Sequence, residues 1–65
     1  MQVFINSAPI TTTALTLTEL LKTQGFNLDK IAVECDKIII SRSKWQEFKL
    51  QNNMRFEVVS FVAGG

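Results

Sequence analysis

The sequence predicts an α+β fold in which a mixed sheet of four to five strands carries one helix packed across one face. Three observations point there. Alternating, β-branched-rich runs open and close the chain, a single helix-start signature stands at Thr16, and two further short β-branched runs lie between the helix and the closing run.

Met1 to Asn6 reads as a strand, with Val3 and Ile5 on one side of the pleat and Gln2, Phe4 and Asn6 on the other. Asn6-Ser7-Ala8-Pro9 supplies turn chemistry, and Ile10 to Thr13 then returns as the second strand of a hairpin. Thr16-Leu17-Thr18-Glu19 is a capping box: the Thr16 hydroxyl is placed to accept the Glu19 backbone N–H while the Glu19 carboxylate reaches back to Thr16, with Leu15 and Leu20 in the flanking staple positions. Leu17, Leu20 and Leu21 share one helical face, and Gly25 suits the left-handed position that ends a helix. Ile31 to Val33 and Ile38 to Ile40 form a second hairpin around Glu34-Cys35-Asp36-Lys37. Ser43 to Gln46 is expected to make one helical turn on a Ser43 cap and to bury Trp45. Asn52-Asn53 is a turn, and Arg55 to Phe61 alternates as the last strand, with Phe56 and Val58 facing one way and Glu57, Val59 and Phe61 the other. The expected core is Val3, Ile5, Leu17, Leu21, Phe56 and Val58.

Sixty-five residues suffice for one domain only. A hydrophobic share of 46% against 20% charged residues is the balance of a globular chain. Seven basic residues offset six acidic ones, scattered without runs, so neither a nucleic-acid stripe nor a polybasic membrane anchor is present. No apolar stretch is long enough for a membrane span or a secretory h-region, and a cytoplasmic location is expected. With no His and one Cys the chain has no imidazole base and cannot assemble a thiolate–imidazole metal site. Cys35, between Glu34 and Asp36, reads as a plain structural or surface thiol, because adjacent negative charge disfavours the thiolate. No Gly-rich phosphate loop exists either. The chain is therefore expected not to be an enzyme and to bind no cofactor itself.

One helix covers one face of a sheet, yet Phe4, Val59 and Phe61 fall on the other. They are the candidate partner-binding residues, the expectation being that strands from the two chain ends bring them together as an apolar patch. The second feature is Phe61-Val62-Ala63-Gly64-Gly65, which places two of the three glycines last. Glycines leave an extended segment free of side chains that would clash in a narrow tunnel. A tail starting at Phe61 reaches about 17 Å, enough to enter another protein's active site. An α-carboxyl with a pKa of about 3.5 is ionised at neutral pH and can attack the α-phosphorus of ATP. A frayed terminus is the plain alternative.

The order strand, strand, helix, strands, opened by Met1-Gln2-Val3-Phe4-Ile5 and closed by Gly64-Gly65, resembles the ubiquitin-like β-grasp proteins. Within them it is most similar to the sulfur carrier family of thiamine biosynthesis, the ThiS family. The likeness runs through Leu17 to Leu21, Arg42-Ser43-Lys44-Trp45, Phe56-Glu57-Val58-Val59 and Val62-Ala63-Gly64-Gly65. Arg42 and Trp45 favour the thiamine branch over the longer molybdopterin one. The chain departs from the family's usual turns at Cys35-Asp36 and Asn52-Asn53, and has Ser41 where a Pro is usual.

The resemblance implies a β-grasp domain over residues 1–61 and a flexible diglycine tail over 62–65. It implies that Val62, Ala63 and Gly64 insert into a partner and that the Gly65 carboxylate is the covalent site. A ubiquitin-activating-type adenylating enzyme would convert that carboxylate to an acyl-adenylate with its own ATP and Mg²⁺. A sulfur donor, such as a cysteine desulfurase system, would then leave a thiocarboxylate for thiazole synthase to consume. Other readings keep the fold: a molybdopterin synthase small-subunit-type carrier, a ubiquitin-like protein modifier, or an interaction module whose diglycine is incidental.

Overall fold

A computed structural model describes residues 1–61; residues 62–65 lie outside the described part. Five strands and one helix are present: β1 (Gln2–Ile5), β2 (Ala8–Thr11), α1 (Leu17–Thr23), β3 (Ile31–Cys35), β4 (Ile38–Ile39) and β5 (Arg55–Ser60), with 3₁₀ turns at Leu28–Lys30 and Arg42–Lys44. The sheet order is β2-β1-β5-β3-β4. β1 and β5 run parallel, and the other neighbours are antiparallel. The expected mixed sheet with one helix is thus the architecture found, and it sets the first and last strands side by side at its centre.

Both hairpins turn on two residues in the left-handed region, Asn6 and Ser7 (φ 51° and 71°) and Asp36 and Lys37 (φ 52° and 68°). Such turns match the strands' own twist, and Asn and Asp tolerate them better than most residues. They correct the expected boundaries. β2 starts at Ala8 and includes Pro9, which an edge strand can hold because one side of its backbone has no partner. Glu34 and Cys35 belong to β3, while Ile40 leaves β4 and is buried.

α1 begins with half of the expected capping box: the Thr16 hydroxyl accepts the Glu19 N–H at 3.3 Å, while the Glu19 carboxylate accepts from the Thr16 hydroxyl at 3.2 Å in place of the Thr16 backbone N–H. The staple does not form. Residues 14–16 are extended and tied to 48–50, by the Leu17 N–H to Phe48 carbonyl and the Leu50 N–H to Leu15 carbonyl bonds. That alternation buries Ala14 and turns Leu15 outward, 63% exposed. The helix ends in a Schellman motif. Gly25 takes φ 82°, its N–H donates to the Lys22 carbonyl, and the Phe26 N–H donates to the Leu21 carbonyl.

All six expected core residues are buried, together with Ala14, Leu20, Ile31, Val33, Ile40, Trp45 and Leu50. The helical turn near Trp45 spans Arg42–Lys44, with Ser41 in the cap position in place of the expected Ser43 and making no side-chain cap. Trp45 is held instead by its own indole, whose Nε1–H donates to the Ile40 carbonyl at 3.0 Å. Burying this ring without that bond would strand a donor.

Candidate functional site

α1 covers one face of the sheet, so strand alternation and register decide what the other face presents. Val3, Ile5, Val33, Phe56 and Val58 point to the core. Their neighbours Phe4, Ala32, Glu34, Arg55, Glu57 and Val59 therefore point away from it, and Ile39, opposite Glu34, joins them.

Register separates this open face into two zones. Phe4 is level with Arg55, whose guanidinium carbon lies 4.4 Å from the Phe4 ring centroid and leaves the ring half-buried. Farther along β5, Glu57 stands opposite Glu34 and Val59 opposite Ala32, with Phe61 following. Ile39 (71% exposed) borders the two carboxylates on the β4 side and Val59 (55%) borders them along β5, with Phe61 (48%) beyond and Arg55 on the other side of Glu57. All three residues expected from sequence to bind a partner lie on or beside this face. Val59 and Phe61 adjoin, whereas Phe4 sits beyond Glu57 at the other end. Ile39 and Glu34 enter the face only through pairing register, a signal the sequence alone does not carry.

The parallel join beneath this face has an unusual fastening. β1 stops at Ile5, and the Asn6 side-chain amide continues its ladder: Oδ1 accepts the Val58 N–H at 2.7 Å and Nδ2 donates to the Val58 carbonyl at 3.1 Å. From sequence Asn6 reads only as the end of the first strand and the start of its turn. The Phe61 N–H donates to the Lys30 carbonyl at 2.9 Å and carries the pairing to the last described residue.

Elsewhere the surface offers little chemistry. A shallow cleft of about 300 Å³ lies between α1 and the two 3₁₀ turns, lined by Thr18, Lys22, Asp29, Arg42 and Trp45 among others. Its Arg42 guanidinium pairs with Asp29 at 3.8 Å and lies 5.6 Å from the Trp45 ring centre. Cys35 is half-buried and unpaired, and burial followed by the Asp36 charge pushes its thiol pKa up, against a nucleophilic role. Among the described residues no cluster of His, Cys, Asp and Glu could hold a metal, and no helix is long and apolar enough to cross a membrane. The expected tail residues Val62, Ala63, Gly64 and Gly65 lie outside the described residues.

Comparison with known proteins places this geometry. The model of the ThiS family matches residues 1–65. A thiazole synthase of Magnetococcus marinus is 38% identical over 66 residues; the match takes in all of this chain and 20% of that protein, so the chain spans about a fifth of its length. The uncharacterized protein ycf40 of Trieres chinensis is 32% identical over 63 residues, covering 95% of this chain and 86% of that one. The crystal structure of the thiamine biosynthesis protein ThiS from Geobacter metallireducens superposes with a TM-score of 0.81 at 23% identity, over the whole of both chains. A solution structure of a thiamine biosynthesis protein from the same organism gives 0.77 at 23% identity, over all of this chain and 88% of that one. The two structures share the β-grasp fold with this chain.

Proposed function

The chain belongs to the ThiS family, and from that premise we propose that it is a sulfur carrier for thiazole formation in thiamine biosynthesis, with the Gly65 carboxylate as its one covalent site. The observation that carries the reading is a family match that runs through all 65 residues, Gly64 and Gly65 included. The likeness to a segment of a thiazole synthase favours the thiamine branch over a molybdopterin one.

On this reading the body of the domain docks and the tail reacts. The open face around Val59 and Phe61 seats a ubiquitin-activating-type adenylating enzyme, and Val62, Ala63 and Gly64 continue from β5 toward that enzyme's ATP. The ionised Gly65 carboxylate attacks the α-phosphorus, pyrophosphate leaves, and the carboxyl becomes a mixed anhydride with AMP. The ATP and Mg²⁺ belong to the partner. A persulfide of the cysteine desulfurase system then displaces AMP to give an acyl disulfide, and a second thiol attacks the donor-side sulfur, leaving a disulfide on the donor and releasing the thiocarboxylate that thiazole synthase consumes. A bare carboxylate holds no transferable sulfur and is a poor acyl donor, so the energy enters through ATP. The chain contributes position and no turnover of its own.

Incubation with the co-encoded adenylating enzyme, ATP, Mg²⁺ and a sulfur source is expected to raise the intact mass by the difference between sulfur and oxygen. Tandem fragmentation then locates the change at Gly65. Deleting Gly65 shortens the reach by about 3.3 Å and abolishes the product. Gly64→Ala slows it, because the added Cβ has to enter a channel shaped for bare backbone. Sulfur found only on Cys35, or no adenylate with any co-encoded adenylating enzyme, rules the carrier reading out.

A further inference from the structure

The open face carries a pair of like charges where like charges are unfavourable. Glu34 and Glu57 are directly opposed across the antiparallel β3–β5 pair, a position that sets Cβ atoms about 4.5–5.5 Å apart and makes two carboxylates repel. Among the described residues neither carboxylate forms an ion pair. The two ion pairs among the described residues are Arg42–Asp29 and Lys44–Glu47. Arg55, the basic residue on the same face of β5, lies over the Phe4 ring. The acidic pair is bordered by exposed apolar side chains, Ile39 beside Glu34 and Val59 next along β5 from Glu57, with Phe61 beyond. Two anions flanked by apolar side chains on two sides are costly to cover with a surface that brings no cation, and favourable to cover with one that does.

We infer that Glu34 and Glu57 together grip one arginine side chain of the docking protein, with Ile39, Val59 and Phe61 packing on the apolar residues around it. A guanidinium suits the site because it is planar and has five N–H donors, enough to serve a carboxylate on each side at once. The inference rests on the carrier reading, which supplies the docking protein as the adenylating enzyme. It adds what that enzyme has to present: an arginine flanked by apolar side chains.

The test is the double variant E34Q/E57Q, which keeps size and shape and removes both charges. Binding to the co-encoded adenylating enzyme is measured by calorimetry at low and high salt, beside thermal melting of the free chain. The expected result is an affinity at least about tenfold weaker at low salt and a flattened salt dependence. The melting temperature should be equal or higher, since a repulsive pair has gone. Each single variant is expected to fall between wild type and the double. Unchanged affinity and salt dependence, with the wild-type chain still binding and forming thiocarboxylate, overturn the inference and leave the carrier reading standing. A wild-type chain that binds no adenylating enzyme removes both. A loss of affinity matched by a loss of thermal stability makes the pair structural and overturns the inference. Self-association that E34Q/E57Q strengthens gives the face to a second copy and overturns it as well.

Discussion

At Phe61 the proposed docking role can be tested apart from the fold. It is the last described residue, with its backbone fastened to Lys30 and its ring 48% exposed on the uncovered side of the sheet. Little of it is available to the core, so Phe61→Ala should change folding stability by no more than about 0.5 kcal/mol. A protein docking on that face would bury the ring, and truncating an aromatic anchor at an interface centre costs about 2 kcal/mol or more. Titration against the proposed adenylating partner should therefore show roughly thirtyfold weaker binding by a chain that melts as the wild type does. Equal affinity would take Phe61 out of the docking face. Phe4 is a poorer probe of the same idea, because removing it also strips the ring from beneath Arg55.

At the scale of elements, the helix is readable at both ends because its signals are local chemistry. The Thr16 hydroxyl caps the Glu19 N–H, and Gly25 sits where only a residue free of the Cβ penalty is comfortable. A Cβ built on Gly25 meets nothing within 4 Å, so Gly25→Ala probes backbone conformation alone at φ 82°. The left-handed cost of about 1–2 kcal/mol is partly offset by the stiffer unfolded chain. A net loss of about 1 kcal/mol in denaturant melts is expected, with Gly25→Asn losing less; no loss would mean the Schellman geometry contributes little. The hairpin ends are less legible. Asn6-Ser7 and Asp36-Lys37 lack the Asn-Gly signature, so their two-residue turns and the inclusion of Pro9, Glu34 and Cys35 in strands emerge only when pairing is known. The Leu15 staple fails for a related reason: the bonds from Leu15 and Leu17 to residues 48–50 are long-range and fix which way an extended segment faces. The docking face is half legible. Alternation marks Val59 and Phe61 as outward, but the offset between strands, which adds Ile39 and Glu34 and moves Phe4 away, is a property of register.

For the molecule as a whole, everything outward depends on one small core. A 65-residue chain hides only about 60% of the surface it would expose unfolded, so its stability is a narrow margin. The sheet's covered face and α1 supply most of that core, with Phe48 adding an edge-on contact to Phe56 at a 6.0 Å centroid distance. Leu21 is fully buried on the helix side of it. Leu21→Ala removes its packing and leaves a void that a short helix, fixed at one end by Thr16 and at the other by Gly25, can only partly close. The expected cost is about 2–5 kcal/mol, and at about 4–8 °C per kcal/mol for a domain of this size the melting temperature should fall by at least about 10 °C. Leu15→Ala is the matched control, because that leucine carries the same side chain with 63% of its surface in water and should change stability by no more than about half a kcal/mol. The open face should respond only through the fold. The Leu21 variant should bind the proposed adenylating partner as the wild type does when assayed well below its melting point, and lose binding in step with unfolding above it. Similar melting losses for the two leucines, or weak binding by a fully folded Leu21 variant, would contradict a core on one side of the sheet and a separate docking face on the other.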